Sequence, residues 1–331
     1  MTSILKWTSI KDEFSQGLVI GNGASIAVSG SFDYASLYEA AKAEGFLAED
    51  AQAVFSSFNS ADFELVLRRL WQATLVNRAL KIESKRVDTA YEEVRRSLIS
   101  TVHKIHPPYA DVKEYFPAMG SFLKGFQSVA STNYDLVLYW AAMWNNENGL
   151  GTWFKDAFTT SSGKTCFRDD WEALREPYAK AEGATLYFYP HGNLCLGTEA
   201  EGGEVKIGAG SENLLDSITE QWENGAVTPL FVSEGTTEQK LTAIRRSNYL
   251  SRVHIEVLGS LGEAVAFYGL GFWPQDEHLI QRIAKRATKV AISVYRDDQK
   301  IIERASRALQ DVGIRKITFF DAESPGAWIH R

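Results

Sequence analysis

The sequence predicts an α/β fold, a parallel sheet wrapped by helices that binds its ligand at the carboxyl ends of the strands. Three observations carry that expectation. Compact apolar runs over residues 18–20, 126–130, 185–189, 229–232, 264–268, 290–294 and 316–320 read as buried strands. Helical patterns separate most of them, and parallel strands need such crossovers. Polar and glycine residues cluster just after the strands, and that edge is where open α/β sheets bind ligands.

Taken in chain order, Leu18, Val19 and Ile20 form a short strand, expected to be central, that stops at Gly21, Asn22 and Gly23. From Tyr34 to about His106 apolar residues recur at helical spacing, as in Phe63, Val66, Leu67 and Leu70, with Glu and Arg on the other faces. Pro107 and Pro108 interrupt this pattern, and a further helix is expected over 112–125. Residues 45–125 are therefore read as a helical insertion within one domain spanning 1–331. The run at 126–130 enters Ser131, Thr132, Asn133, Tyr134 and Asp135 before another helical pattern. Residues 145–182, rich in Gly, Ser, Thr and charge, are expected to form a long irregular excursion.

Composition narrows the class. A chain of 331 residues that is 45% hydrophobic and 12% aromatic builds a core without disulfide or metal support. Its two cysteines, Cys166 and Cys195, form no CxxC pair, which excludes thiolate zinc sites and disulfide frameworks and points to a reducing compartment. No apolar stretch of signal-peptide or membrane-span length occurs, so a cytoplasmic, soluble protein without membrane partners is expected. With a net charge of −7 and scattered basic residues, nucleic acid is not an expected partner.

The polar clusters supply the candidate site. Gly21, Asn22, Gly23, Ala24 and Ser25 have the marks of a phosphate loop, since glycines let backbone N–H groups approach an anion and a serine adds a hydroxyl. The loop lacks the third glycine of GxGxxG and any GK[ST], so neither the dehydrogenase fingerprint nor the Walker loop is present, and a tight turn without ligand is an equal reading. Thr132, Asn133 and Asp135 offer an amide and a carboxylate suited to ribose hydroxyls and a water, or equally a helix N-cap. His191 follows an apolar strand and precedes Gly192; a lone histidine there is more often structural. A His191–Cys195 nucleophilic pair has no third group to orient it. His103 and His106 abut prolines, lack companion ligands and are read as surface residues, so no metal site is expected.

In order, strand–GNGAS at 21–25, strand–STNYD at 131–135 and strand–PHG at 190–192 resemble the sirtuin-like family. The likeness extends to Phe63 and Glu64, to Ser233 and Gly235 as an adenosine-side loop, and to Gly269 with Asp276 as a late G-x-x…D element. Two departures matter. The four-cysteine zinc module of sirtuin deacylases is missing, and Tyr134 stands within a TNYD loop, which is similar to the zinc-less bacterial sirtuin-like NAD hydrolases of anti-phage defence. The resemblance implies a Rossmann-type sheet with a helical insertion, NAD as substrate, and control by a homo-oligomer or an infection-sensing partner.

The implied chemistry is physically coherent. Cleaving the nicotinamide–ribose bond passes through an oxocarbenium-like state, and the leaving group is already cationic, so no general acid is needed. The demands are a clamp on the ribose, a positioned water and a buried diphosphate. Asn133 is expected to orient the water and a ribose hydroxyl, His191 to bond or deprotonate ribose hydroxyls, and Asp135 to brace the loop. The 21–25 turn would hold the diphosphate, with Thr132, Ser233, Gly235, Gly269 and Asp276 completing the pocket. A non-catalytic NAD or ADP-ribose sensor is the alternative, and deacylation is disfavoured by the missing cysteines.

Overall fold

Two sheets organise the chain. A computed structural model describes residues 3–331 apart from 34–35, 150, 162–163, 178–181, 200–201, 209 and 233–235. It begins with β1 (Ile4–Leu5), β2 (Gly17–Ile20) and α1 (Asn22–Val28). A helical run follows: α2 (Leu37–Ala43), α3 (Glu49–Ser57), α4 (Phe63–Leu80), α5 (Lys85–Ile105), α6 (Tyr109–Val112) and α7 (Phe116–Leu123). Then come β3 (Ser128–Ser131), α8 (Val137–Glu147), β4 (Thr152–Lys155), β5 (Phe158–Ser161), β6 (Lys164–Phe167), β7 (Gly183–Phe188), β8 (Gly192–Glu199) and β9 (Glu204–Lys206). The last third contains α9 (Leu214–Glu223), β10 (Val227–Phe231), α10 (Thr237–Ile244), α11 (Asn248–Arg252), β11 (Ala264–Tyr268), α12 (Glu277–Ile283), β12 (Lys289–Val294), α13 (Gln299–Asp311) and β13 (Lys316–Asp321).

The larger sheet has eight parallel strands in the order β1-β13-β12-β11-β2-β3-β7-β4. Its middle six, read from β7 to β13, follow the 3-2-1-4-5-6 order of a doubly wound Rossmann-like sheet. β2 is buried along its whole length and lies between two parallel partners, with Leu18 opposite both Ala266 and Val129. That position explains why the strand is a continuous apolar run rather than an alternating one: helices cover both faces. The winding direction reverses between β2 and β11, the place where sheets of this kind open a crevice at the carboxyl ends of their strands.

The second sheet was not anticipated. It has five strands in the order β10-β8-β9-β6-β5, and all of its pairings are antiparallel. The strand read at 229–232 therefore belongs to this sheet and not to the parallel one. The expected irregular excursion over 145–182 contains β4, β5 and β6, with β4 forming the edge of the parallel sheet. The Thr, Ser and Lys residues in their sequences mask the strand signal, because strands this short and polar rely on pairing for definition.

The helical insertion lies between β2 and β3; Tyr34, where the helical spacing was read to begin, is outside the described residues. Asp62 caps α4 by accepting from the Glu64 and Leu65 N–H groups. α5 packs against α2, α3, α4 and α9, and α4 reaches β10, so the insertion rests on the antiparallel sheet's side of the molecule.

Candidate active site

The switch-point crevice opens into a cavity of about 720 Å3, within the range of small-molecule sites. One wall is the loop from β2 into α1. The Gly21 N–H donates to the Tyr268 carbonyl and the Gly23 N–H to the Gly269 carbonyl, both at 2.9 Å. Gly269 has a φ of +69°, and a Cβ there would sit 2.4 Å from the Ala24 nitrogen. These glycines let the backbones of two loops touch. The Ala24 N–H is also spent, on the Gly21 carbonyl, and its own carbonyl accepts from the Trp328 indole. Asn22 and Gly23 line the cavity, whereas Gly21, Ala24 and Ser25 lie behind its surface. Three amides of the expected diphosphate cradle, those of Gly21, Gly23 and Ala24, hold protein carbonyls.

Ser25 is instead the centre of a buried network. Its hydroxyl donates to Asp135 Oδ2 at 2.5 Å and accepts from Asn133 Nδ2 at 2.7 Å. The same Nδ2 donates to the Gly21 carbonyl at 3.1 Å. Both amide protons of Asn133 are thus committed, and its Oδ1 accepts no hydrogen bond among the described residues. Asp135 Oδ1 accepts from the Val137 N–H at 2.9 Å, capping α8. Burial pushes the Asp135 carboxyl up from the ordinary carboxylate value, against the pull of the Ser25 hydroxyl and the Val137 N–H. β8 steadies the loop from below: Asn193 Nδ2 donates to the Asp135 carbonyl at 2.6 Å, and the Leu194 N–H to the Tyr134 carbonyl at 2.8 Å. The Tyr134 ring stacks on Phe231. Thr132, Asn133, Tyr134 and Asp135 all line the cavity.

His191 also lines the cavity, at the end of the apolar strand as expected, in a tight β7–β8 turn. Gly192 turns the chain with a φ of +77°, where a Cβ would meet the Leu230 carbonyl oxygen at 2.1 Å. The His191 carbonyl accepts from the Val232 N–H at 2.7 Å, tying the turn to β10. Ser233 and Gly235, the expected adenosine-side residues, lie outside the described residues.

Lys240 and Arg304 at the cavity, and His278 and His254 behind it, carry no sequence motif. His191 Nε2 and His278 Nε2 are 3.0 Å apart, and the His278 ring packs against His254. Burial, with Lys240 and the neighbouring histidines adding, holds His191 well below the ordinary histidine value; burial and Lys240 take His278 to about 3. Lys240 faces Asp276 at 3.8 Å, and Gly269 and Asp276 line the cavity beside it. Burial raises the Asp276 carboxyl, opposed by Lys240. Arg304 lies 3.6 Å over the Trp273 ring and donates through Nε to the Gly271 carbonyl at 2.6 Å. These residues come from α10, α12, α13 and the β11–α12 loop, so only the sheet's winding brings them together. Gly269 and Asp276, singled out in the sequence, are the signals for this wall.

Other candidates resolve structurally. Cys195 is buried, which pushes its thiol up to about 12 and disarms it as a nucleophile. His106 is not a surface residue: its Nε2 accepts from the Leu136 N–H at 3.0 Å at the start of α8, and its ring packs between Phe32 and Trp140. His103 bonds Thr219 at 3.0 Å. Among the described residues no group of His, Cys, Asp and Glu is placed to hold a metal ion, and no helix is long and apolar enough to cross a membrane. No curated protein matches the chain. The model of the family described as a domain of unknown function, DUF4917, matches residues 18–328, nearly the whole length, and the protein belongs to that family.

Proposed function

We propose that the protein hydrolyses NAD at the nicotinamide–ribose bond, giving nicotinamide and ADP-ribose, in the cavity at the switch point. The observation that carries this reading is the Asn133 carboxamide. Its NH2 group is held by Gly21 and Ser25, so Oδ1 is a rigid acceptor in the cavity that the buried His191 also lines. A fixed acceptor suits a water or a ribose hydroxyl, because preorganised groups need no reorganisation as charge develops. As the C–N bond breaks, its electron pair neutralises the nicotinamide ring. Water then adds its oxygen to the anomeric carbon and releases a proton. Asp135 braces Ser25 and the start of α8 rather than touching substrate.

Arg304 and Lys240 are the cations on the cavity wall and supply the positive charge that a diphosphate needs. Arg304 is already oriented by Trp273 and Gly271, and its terminal nitrogens make no hydrogen bond among the described residues. The likeness of the three polar loops to the zinc-less sirtuin-like NAD hydrolases supports the substrate and an anti-phage, cytoplasmic role. Control by self-assembly or by an infection-sensing partner belongs to the same proposal. The exposed apolar residues Trp71, Leu75, Val76 and Leu80 along α4 supply a face for it.

One observation favours the alternative of a non-catalytic NAD or ADP-ribose sensor: His191 Nε2 is already engaged by His278. Nicotinamide release separates the two. The purified chain, alone and with proteins encoded beside it, is compared with Asn133→Ala and His191→Ala, each checked for folding. Release that is lost in both variants supports hydrolysis. No release under any condition, with NAD or ADP-ribose still raising Tm, establishes the sensor instead.

A further inference from the structure

Two of the large apolar side chains left exposed among the described residues line the cavity, and both are aromatic: Trp273, 49% exposed, and Tyr295, 52% exposed. An exposed ring on a cavity wall is surface that a ligand can bury. Neither ring is placed by chance. Arg304 covers one face of the Trp273 indole, its guanidinium carbon 3.6 Å from the ring centroid, and its Nε is fixed on the Gly271 carbonyl at 2.6 Å. The Nε1 side of the indole lies against the Gly271 backbone, where a Cβ would meet Nε1 at 2.4 Å. The rest of the ring stays open to the cavity.

Backbone strain holds this arrangement. Phe272 has a φ of +52°, a left-handed conformation that a bulky residue adopts only where its surroundings impose it. Its own ring is buried and packs on Phe267, with centroids 5.2 Å apart. Anchoring Phe272 in the core leaves the next side chain, Trp273, at the cavity wall. Tyr295 precedes Arg296 and Asp297, which have φ values of +46° and +57°. They form a two-residue turn closed by the Asp298 N–H on the Tyr295 carbonyl at 3.1 Å, a turn that ordinarily takes Asn and Gly.

The sheet order sets these rings apart from the polar end of the cavity. Trp273 and Tyr295 follow β11 and β12, whereas Asn133 and His191 follow β3 and β7, so β2 separates the two groups. Charge decides which half of NAD suits the aromatic end. The oxidised nicotinamide ring is a cation and is repelled by the guanidinium already stacked on the indole. Adenine is neutral, and its π face can stack on the open side of the ring. The terminal nitrogens of Arg304, beside the same ring, make no hydrogen bond among the described residues and are donors of the kind that hold phosphate.

We propose that Trp273, stiffened by Arg304, is the adenine platform of the cavity, and that Arg304 donates to the phosphate next to the adenosine. The assignment of this end to half of NAD rests on the NAD-cleavage reading, but the platform takes any adenine nucleotide and is tested without cleavage.

The test is calorimetric titration of the full chain with AMP, ADP-ribose and nicotinamide mononucleotide, which lacks adenine. Trp273→Ala should weaken AMP and ADP-ribose about tenfold, the loss of one base stacked on an aromatic ring, and leave nicotinamide mononucleotide within about twofold. Trp273→Phe keeps a smaller platform and most of the affinity. AMP should quench part of the wild-type tryptophan fluorescence, and Trp273→Phe, which still binds, should lose that quenching; a merely structural role would leave it. Arg304→Met should weaken ADP-ribose about tenfold and reduce the salt dependence of its binding. Three results overturn the proposal: AMP affinity indifferent to Trp273→Ala, equal losses for AMP and nicotinamide mononucleotide, or a wild-type chain that binds no adenine nucleotide. Nicotinamide release is scored separately on the same samples. Its absence, with AMP and ADP-ribose behaving as expected, rejects NAD cleavage and leaves the platform standing. Release that persists while AMP binding ignores Trp273 does the reverse.

Discussion

Gly269→Ala tests whether the crevice depends on backbone-to-backbone contact between the loops that follow β2 and β11. Gly269 has a φ of +69°, and placing an alanine there costs about 1 kcal/mol in conformational strain alone. Its Cβ would also lie 2.4 Å from the Ala24 nitrogen and 2.8 Å from the Gly23 carbonyl carbon. Backbone atoms cannot rotate aside, so the loops must separate. That strains or breaks the Gly23 N–H to Gly269 carbonyl bond, worth about 1 kcal/mol, and loosens the surrounding packing. The expected total is about 3 kcal/mol. Gly45→Ala is the matched control, because Gly45 has a φ of +71° but nothing within 4 Å of its Cβ position. It carries the strain without the contact, about 1 kcal/mol. Urea unfolding of the two variants isolates the difference, about 2 kcal/mol, and the Tm increase with NAD should shrink in Gly269→Ala alone. Equal destabilisation within about 0.5 kcal/mol would show that the loop contact does not hold the crevice.

Three further outcomes follow from the buried polar groups. Ser25→Ala removes the donor to Asp135 and the acceptor for Asn133, and should cost about 2 kcal/mol in chemical denaturation while lowering nicotinamide release. Lys206→Met leaves Asp156, which it pairs at 2.6 Å, buried without its cation and should cost about 3–5 kcal/mol; adding Asp156→Asn should recover part of that loss. The pH dependence of stability should respond to His278, neutral in the fold down to about pH 3 but titrating near 6.5 when unfolded. Within that window the unfolded chain binds the extra proton, so stability falls as pH falls, by about 1.4 kcal/mol per unit. His278→Leu should flatten the curve between pH 6 and 4 by that slope, and unchanged steepness would mean that His278 is charged in the fold.

Legibility followed burial and periodicity. The strands at 18–20, 264–268 and 290–294 were readable because parallel strands covered on both faces are continuous apolar runs. β4, β5, β6, β8 and β9 were not. They are short, polar or glycine-containing, and their identity lies in partners distant along the chain. The Asn133–Asp135 loop could be singled out, since Asn and Asp after an apolar run have few structural uses beyond capping or binding. Which of those it performs needed the position of Ser25, 108 residues from Asn133 and 110 from Asp135.

By itself the sequence determined the α/β class, the central place of β2, the helical insertion and the polar loops at strand ends. These depend on local apolar patterning and on the backbone chemistry of glycine, asparagine and aspartate, which act over a few residues. The tertiary structure alone decided that Gly21 and Gly23 pack against the backbone of the loop after β11. It also placed His278 behind His191 and brought Arg304 over Trp273 at the cavity wall. Such contacts join elements far apart in the chain, and only the winding order of the sheet, with β11 beside β2, brings them together.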